Sequence, residues 1–428
     1  MDTKESTTGS TRILSGEPVT DVQQPWRIML TPWWQATLAI LPAFLISRII
    51  FLLLGYLGGV LFSVPNYWPG TLTFRDMLYL WYQWDVARYA TIAMQGYPGP
   101  GYAAFFPLFP ALSQALNTLL HLDILETMML ISNVAFLGTL IVFYRLVETE
   151  IDSETAKRAA LYFSIFPSAF FFFVGYNESL FMLFLLLSFY ALRHSRWWLA
   201  GLFGGLAVLT RSIGLLLAAV FLYEFLRQKL LPIMQAWQEG QRWASLRLCA
   251  DLLPVLFIPL GLGIYAFGLY MRFGDPLAFS HAEANWRVGL SFPWVAPAIA
   301  IHSLLTLSAF TFATPHIYID LFALALFSGL LVLAVVGPER LRRDQWSFVL
   351  FGLLALIYSV IFPGTPGYGN IPYDPLPSVE RFVLEIFVGF IILARLGRRP
   401  WFHQLYLLFA LPLLAFLLLQ FITGHWTV

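Results

Sequence analysis

The chain has 428 residues, of which 59% are hydrophobic and only 11% charged, with a mean hydropathy of +0.73. A soluble domain carries roughly 25% charged residues, so that class is excluded and an all-α polytopic membrane protein is predicted. The net charge of +1 gives no basis for binding nucleic acid or another strongly acidic partner.

In chain order, residues 1–30 are polar and rich in Ser, Thr and Gly, without the apolar core of a signal peptide. They are predicted to be a disordered cytoplasmic tail, with Trp26, Trp33 and Trp34 marking entry to the membrane interface. Residues 31–428 read as a single transmembrane domain. Apolar runs predict spans over residues 34–62, 127–147, 156–174, 177–193, 198–225, 249–272, 317–336, 346–362, 379–396 and 403–422. Two weaker runs, 104–121 and 291–312, contain Pro107, Pro110, Pro293 and Pro297 and read as re-entrant or interfacial elements.

The basic clusters are Arg145/Lys157/Arg158, Arg193/Arg196, Arg227/Lys229/Arg242/Arg247, Arg340/Arg342/Arg343 and Arg395/Arg398/Arg399. All fall on one side, with the N-terminus, if the two weak runs do not cross and if 198–225 is a hairpin turning at Thr210-Arg211-Ser212. Roughly 18 of the 25 Lys and Arg are then cytoplasmic, with about 11 membrane passes and an outer C-terminus. The outer face receives the first outer loop 63–126, the Gly175–Ser179 turn, the Arg272–Trp286 loop and the Gly364–Ser378 loop. No internal repeat is visible, which weighs against an inverted-repeat transporter.

The first outer loop holds Trp81-Tyr-Gln-Trp84-Asp85-Val-Ala-Arg88-Tyr89. A short interfacial helix over 73–97 would align Trp81, Trp84, Asp85 and Arg88 on one face. A carboxylate between indoles suits a general base beside a sugar hydroxyl. The same residues also suit an aromatic belt with a surface Asp85–Arg88 ion pair. Arg48 in the middle of the first span, Arg211 at the hairpin tip and Arg381 near the start of 379–396 are costly in a bilayer unless paired or hydrated. Together they suit an anionic group such as a lipid phosphate. The alternative is structural pairing with Glu178, Asp320, Glu380 or Glu385, including an i, i+4 pair between Arg381 and Glu385. Asn177 ahead of Glu178 reads first as a helix N-cap. Lone Cys249 excludes an intrachain disulfide. The seven histidines lack the spacing of a zinc site.

Taken in order, several motifs resemble PIG-V-type mannosyltransferases. They are Trp84-Asp85-x-x-Arg88-Tyr89-x-x-Ile92-Ala93-x-x-Gly96-Tyr97, Phe105-Phe106-Pro107-Leu108-Phe109-Pro110, and Phe166-Pro167-Ser168-Ala169-Phe170. Further on come Gly175-Tyr176-Asn177-Glu178-Ser179-Leu180-Phe181, Thr210-Arg211-Ser212-x-Gly214, Asp275-Pro276-Leu277-Ala278-Phe279 with Trp286, and Ser378-Val-Glu-Arg381-Phe382. The resemblance runs from about 81 to 382 and implies a bacterial-type relative with the GT-C glycosyltransferase fold. It also implies an active site on the outer or lumenal face, in the plasma membrane of a bacterium or the ER membrane of a eukaryote. The implied donor is a polyprenyl-phosphate sugar, and the acceptor a glycolipid or glycan within the surrounding membrane lipids. Asp85 matches the family's catalytic acid; Arg211 and Arg381, with Arg48, become donor-phosphate candidates. Trp81, Trp84, Arg88, Tyr89, Tyr176, Asn177 and Glu178 become substrate-binding candidates. A phosphomonoester leaving group held by arginines requires no metal, and no cofactor is expected. The competing classes are a lipid-linked-sugar flippase or transporter and a non-catalytic scaffold subunit.

Overall fold

The structure is a computed structural model that describes residues 25–62, 73–306, 313–365 and 373–425. The tail expected over 1–30 lies outside it up to residue 24, as do 63–72 of the first outer loop, 307–312 of the second weak run and 366–372 of the last outer loop. The first helix, α1 (Pro25–Phe62), reaches back into the stretch read as tail. Among the described residues there is no strand, only an isolated bridge between Arg287 and Gly364, and the all-α reading holds.

Beyond α1 the chain does not form the single interfacial helix expected over 73–97. It makes α2 (Phe74–Tyr79), closed by a Thr73/Asp76 capping box, and then α3 (Asp85–Gln95). The break comes at Trp84, whose φ of 49° no α-helix accommodates. Trp81 therefore does not share a face with Asp85. It turns into the core, 1% exposed, with its ring 4.8 Å from Phe173. A 3-10 turn (Pro100–Ala104) leads to α4 (Leu108–Leu120). At 1.5 Å per residue α4 falls short of a bilayer of about 30 Å.

Helix α5 (Ile124–Glu150) starts at an Asp123 cap, and α6 (Ser153–Ser164) at an Asp152 cap. The run predicted as a span over 156–174 is not one helix. After α6 the backbone leaves helical geometry near Pro167, makes a 3-10 turn (Ala169–Phe172) and resumes only at α7 (Glu178–Arg193). Proline disfavours helical geometry at the residue before it and supplies no N–H. Irregular backbone at membrane depth is tolerated where protein groups satisfy it, and here they come from other elements. Ser132 Oγ donates to Tyr176 O (2.8 Å), Asn133 Nδ2 to Phe173 O (3.0 Å) and Arg48 Nη2 to Phe172 O (3.1 Å). Ser168 Oγ donates to Glu380 O (2.5 Å). Phe136 stacks on Phe172 at 4.5 Å, in the centre of a phenylalanine-rich core.

The hairpin expected over 198–225 is present. Helix α8 (Trp197–Thr210) stops at Arg211, a 3-10 turn (Ser212–Leu216) reverses the chain, and α9 (Leu217–Gln238) returns. Trp197 at the start of α8 packs on Phe221 (5.4 Å) and Phe225 (5.8 Å) of α9. Helices α10 (Arg242–Ala250) and α11 (Phe257–Phe273) follow, and α11 lies against the glycines of α8. A Cβ on Gly205 would stand 2.6 Å from Phe257 O, and one on Gly261 the same distance from Gly205 O, so these backbones meet only through glycine.

The remaining helices are α12 (Ala278–Glu283), α13 (Val295–Thr306), α14 (Ala313–Val335), α15 (Trp346–Val360), α16 (Val379–Phe382), α17 (Phe387–Leu396) and α18 (Pro400–Ile422). The predicted 379–396 span is interrupted by a 3-10 turn (Val383–Glu385), directly after Arg381. Among the described residues, five stretches are long and apolar enough to cross a membrane: Thr31–Phe62, Ile124–Glu150, Arg242–Phe273, Thr314–Val335 and Pro400–Ile422. The other apolar runs are shorter or broken helices packed among these.

The two ends of the bundle differ in charge. At one end Arg193 bonds Glu150 (2.6 Å), Glu224 (3.2 Å) and Asp344 (3.0 Å), Arg395 meets Glu339 (3.0 Å) and Arg398 meets Asp152 (2.5 Å). At the opposite end, the start of α3, the start of α7, the hairpin tip and α16 converge on a cavity.

Candidate functional site

The strained turn before α3 sets the site. Trp84 (φ 49°) and Ser378 (φ 66°) are non-glycine residues with positive φ, and both line this cavity. Such backbone costs about 1–3 kcal/mol and persists only where its surroundings hold it. At Trp84 the conformation swings the Asp85 N–H onto Tyr176 Oη (3.2 Å). It also leaves the Asp85 carboxylate at the head of α3, facing the arginine at the end of α16.

Two arginines and three carboxylates then interlock. Arg381 Nη1 bonds Asp85 Oδ2 at 3.0 Å, and Arg381 Nε bonds Glu178 Oε1 at 2.5 Å. Arg211 meets the same Glu178 oxygen and reaches Glu385 Oε1 at 3.0 Å through Nε. Asn177 Nδ2 donates to Thr210 O at 2.6 Å, tying α7 to the hairpin tip. Its side chain makes no N-cap bond, so the cap expected there is absent. Breaking one partner of a buried pair leaves an uncompensated charge and costs about 3–5 kcal/mol, so this network fixes the cavity wall. Within it the Asp85 side chain is 31% exposed, whereas those of Glu178 and Glu385 are each 2% exposed. Among the described residues, Asp85 Oδ1 accepts no hydrogen bond.

The cleft has a volume of about 190 Å³ and opens to solvent. Asp85, Arg211, Arg381, Trp84, Tyr89, Tyr176 and Asn177 line it, and Glu178 stands directly behind the two arginines. Three predicted site residues are not brought in. Trp81 is core. Arg88 lies over the Tyr102 ring (4.9 Å), so the Asp85–Arg88 ion pair does not form. Arg48 is held by Asn133 Oδ1 (2.9 Å) and Phe172 O and sits between the Phe44 and Phe136 rings. The i, i+4 pair of Arg381 with Glu385 is also absent, because each has taken a partner from another element.

Sequence reasoning missed part of the wall: Glu283, Arg287 and Tyr358 also line the cleft. The outer loop expected over Arg272–Trp286 ends one residue short of Arg287, and nothing local in the sequence marks that arginine as inward-facing. Burial raises the Glu283 carboxyl above its ordinary value, opposed by Arg287 and Arg211. Burial likewise pushes Asp374, in the loop beside it, up to about 7, with Glu380 adding to the shift and the Leu376 N–H and Arg287 opposing it. Among the described residues no group of three or more His, Cys, Asp or Glu is placed to hold a metal ion.

The family model described as Mannosyltransferase (PIG-V) matches residues 61–333. No curated protein matches the chain. Among solved structures, the Archaeoglobus fulgidus oligosaccharyltransferase in complex with Zn and sulfate is 13% identical at a TM-score of 0.41, over 90% of this chain and 53% of that one. The same enzyme tethered to an acceptor peptide is 13% identical at 0.42, over 93% and 56%. The archaeal oligosaccharyltransferase of that organism, with an inhibitory peptide and a dolichol-phosphate, is 12% identical at 0.42, over 90% and 56%. The chain thus spans about half the length of the solved structures it matches, and likeness of this degree extends to no residue or reaction.

Proposed function

The chain belongs to the PIG-V mannosyltransferase family; from that premise we propose that it is a membrane glycosyltransferase moving a mannosyl residue from a polyprenyl-phosphate donor to a glycolipid or glycan acceptor. The observation that carries the reading is the position of Asp85. Of three carboxylates on one arginine pair, it is the one that reaches the cavity with an oxygen left over.

In this reading the acceptor hydroxyl gives its proton to Asp85 as its oxygen attacks the anomeric carbon. The carbon–oxygen bond to the donor phosphate breaks on the opposite face, with inversion. The departing phosphate gains negative charge at the moment Asp85 loses its own. Arg381, bonded to Asp85 beforehand, is released toward the phosphate as that charge develops. A group that changes partner in this way binds the transition state more strongly than the ground state. Trp84, Tyr89 and Tyr176 supply aromatic walls for a sugar ring. No step calls for a metal.

The cavity lies at the end of the bundle opposite the basic clusters. Lys and Arg concentrate on the cytoplasmic side of membrane proteins, which supports a non-cytoplasmic active site.

The test is transfer by purified protein from radiolabelled polyprenyl-phosphate mannose. Asp85→Asn keeps an acceptor for Arg381 and should fold normally, yet lose about 10²–10⁴-fold in turnover. Near-normal turnover at matched expression sinks the assignment. Uptake of the labelled lipid into vesicles without product would favour a transporter instead.

A further inference from the structure

Charge in the cavity is not spread evenly. Arg211 and Arg381 are both engaged by carboxylates: Glu178 and Glu385 for the first, Glu178 and Asp85 for the second. A third guanidinium faces the same space. Among the described residues Arg287 has no carboxylate within ion-pairing distance, and its recorded side-chain contact is with the Phe382 ring, 4.9 Å below it. The same ring carries Arg211 at 5.2 Å, so one anion could meet both.

Arg287 is also held in place. Its backbone bridges to Gly364, Val288 N–H donates to Pro363 O (2.7 Å) and Thr365 N–H to Trp286 O (2.9 Å). A Cβ on Gly364 would stand 2.1 Å from Asp374 O, so this clamp closes only around a glycine. Behind the clamp, α12 rests on the Pro100–Ala104 turn through a small core of Ala103, Phe106, Tyr265 and Ala282. A fixed, half-buried guanidinium without a partner at the wall of an anion-sized cleft is a seat for an anion. Burial raises both Glu283 and Asp374, two carboxyls in its field.

We propose that Arg287 binds the phosphate of the lipid donor directly in the ground state, while Arg211 frames the site and Arg381 turns to the phosphate only as charge develops on it. This rests on the transferase reading for the donor's identity but not for the phosphate contact. The chemistry recognised is a phosphate monoester or diester carried on an isoprenoid chain.

The test uses the full-length protein in detergent and follows quenching of its tryptophan fluorescence, since Trp84 and Trp286 line the same cleft. Farnesyl phosphate, farnesol and inorganic phosphate are titrated separately. Wild type should bind farnesyl phosphate about tenfold to a hundredfold tighter than farnesol, the range expected for a charge-assisted contact. Arg287→Gln should lose that preference with its melting temperature retained, and Arg287→Lys should keep part of it. A preference unchanged in Arg287→Gln overturns the proposal, as does a preference wholly lost in an Arg287→Lys protein whose melting temperature is retained. Inorganic phosphate binding as tightly as farnesyl phosphate overturns the lipid assignment. A wild-type protein that shows the preference yet makes no mannosyl product defeats the transferase reading and leaves Arg287 standing.

Discussion

Asp85 lines the cavity and Asp374 lies beside Gly364 of the Arg287 clamp, and their surroundings give them opposite prospects. Asp85 is fixed by an arginine and stays open to solvent on its other oxygen. Burial pushes Asp374 up to about 7, and the charge of Glu380 adds to the shift. A carboxyl whose folded-state value is raised adds stability below its unfolded value, near 4, and that contribution is lost as pH rises through about 7. The wild-type protein should therefore melt at a higher temperature at pH 5.5 than at pH 8. Asp374→Asn, which still accepts from the Leu376 N–H, should show a visibly smaller difference in the same melting series. An equal pH response in the two proteins would remove Asp374 as its source. At this scale Asp85 is conspicuous in the sequence, because an acid beside indoles stands out in a chain with only 11% charged residues. Arg287 did not stand out, since its significance lies in the absence of a carboxylate neighbour, and absence of a neighbour is a three-dimensional property.

Hydrophobic runs locate elements well, and the ends of α5, α7, α14 and α18 fall close to the runs that predict them. They are blind to whether a run is one helix. The stretch 156–174 is largely apolar after Arg158, yet its second half is turn and coil, because the groups that satisfy its carbonyls sit on α1 and α5. Ser132, Asn133 and Arg48 carry no local sign of that task. Arg48 was grouped with the phosphate-binding arginines because a mid-span arginine needs a partner, and the need was real. Its partners are Asn133 and the Phe172 carbonyl. Arg48→Met should therefore cost about 1–3 kcal/mol of stability by leaving those groups unsatisfied. The melting temperature should drop while the KM for donor stays within twofold of wild type. A raised KM with normal melting would return Arg48 to the binding site. The hairpin was legible for a different reason: counting charges across the bilayer demands a reversal near Arg211, whatever the local propensity.

For the molecule as a whole, the opposite ends of the bundle make a prediction about sidedness. Cys249 is exposed at the end of α10, and Lys229 bonding Asp251 (2.6 Å) fixes that region near the basic end. A membrane-impermeant thiol reagent should leave Cys249 unlabelled in intact cells and label it in inverted vesicles. With Cys249→Ser as background, Ser280→Cys in α12 should label in the opposite pattern. Identical patterns for both positions would end the two-faced description. The pairing of Asp85 with Arg381 joins residues 296 positions apart, and Arg381 lies beyond the stretch 61–333 that the family model matches. Glu178 and Arg211, by contrast, are 33 apart. During synthesis the hairpin arginine can thus be neutralised as soon as α8 is inserted, and the early bundle carries no stranded cation at its tip. Asp85 waits in the outer loop until the last third of the chain has been translated. The candidate site is consequently incomplete at every stage of insertion short of the final helices. A chain stalled before α16 would leave a stable but inert bundle in the membrane.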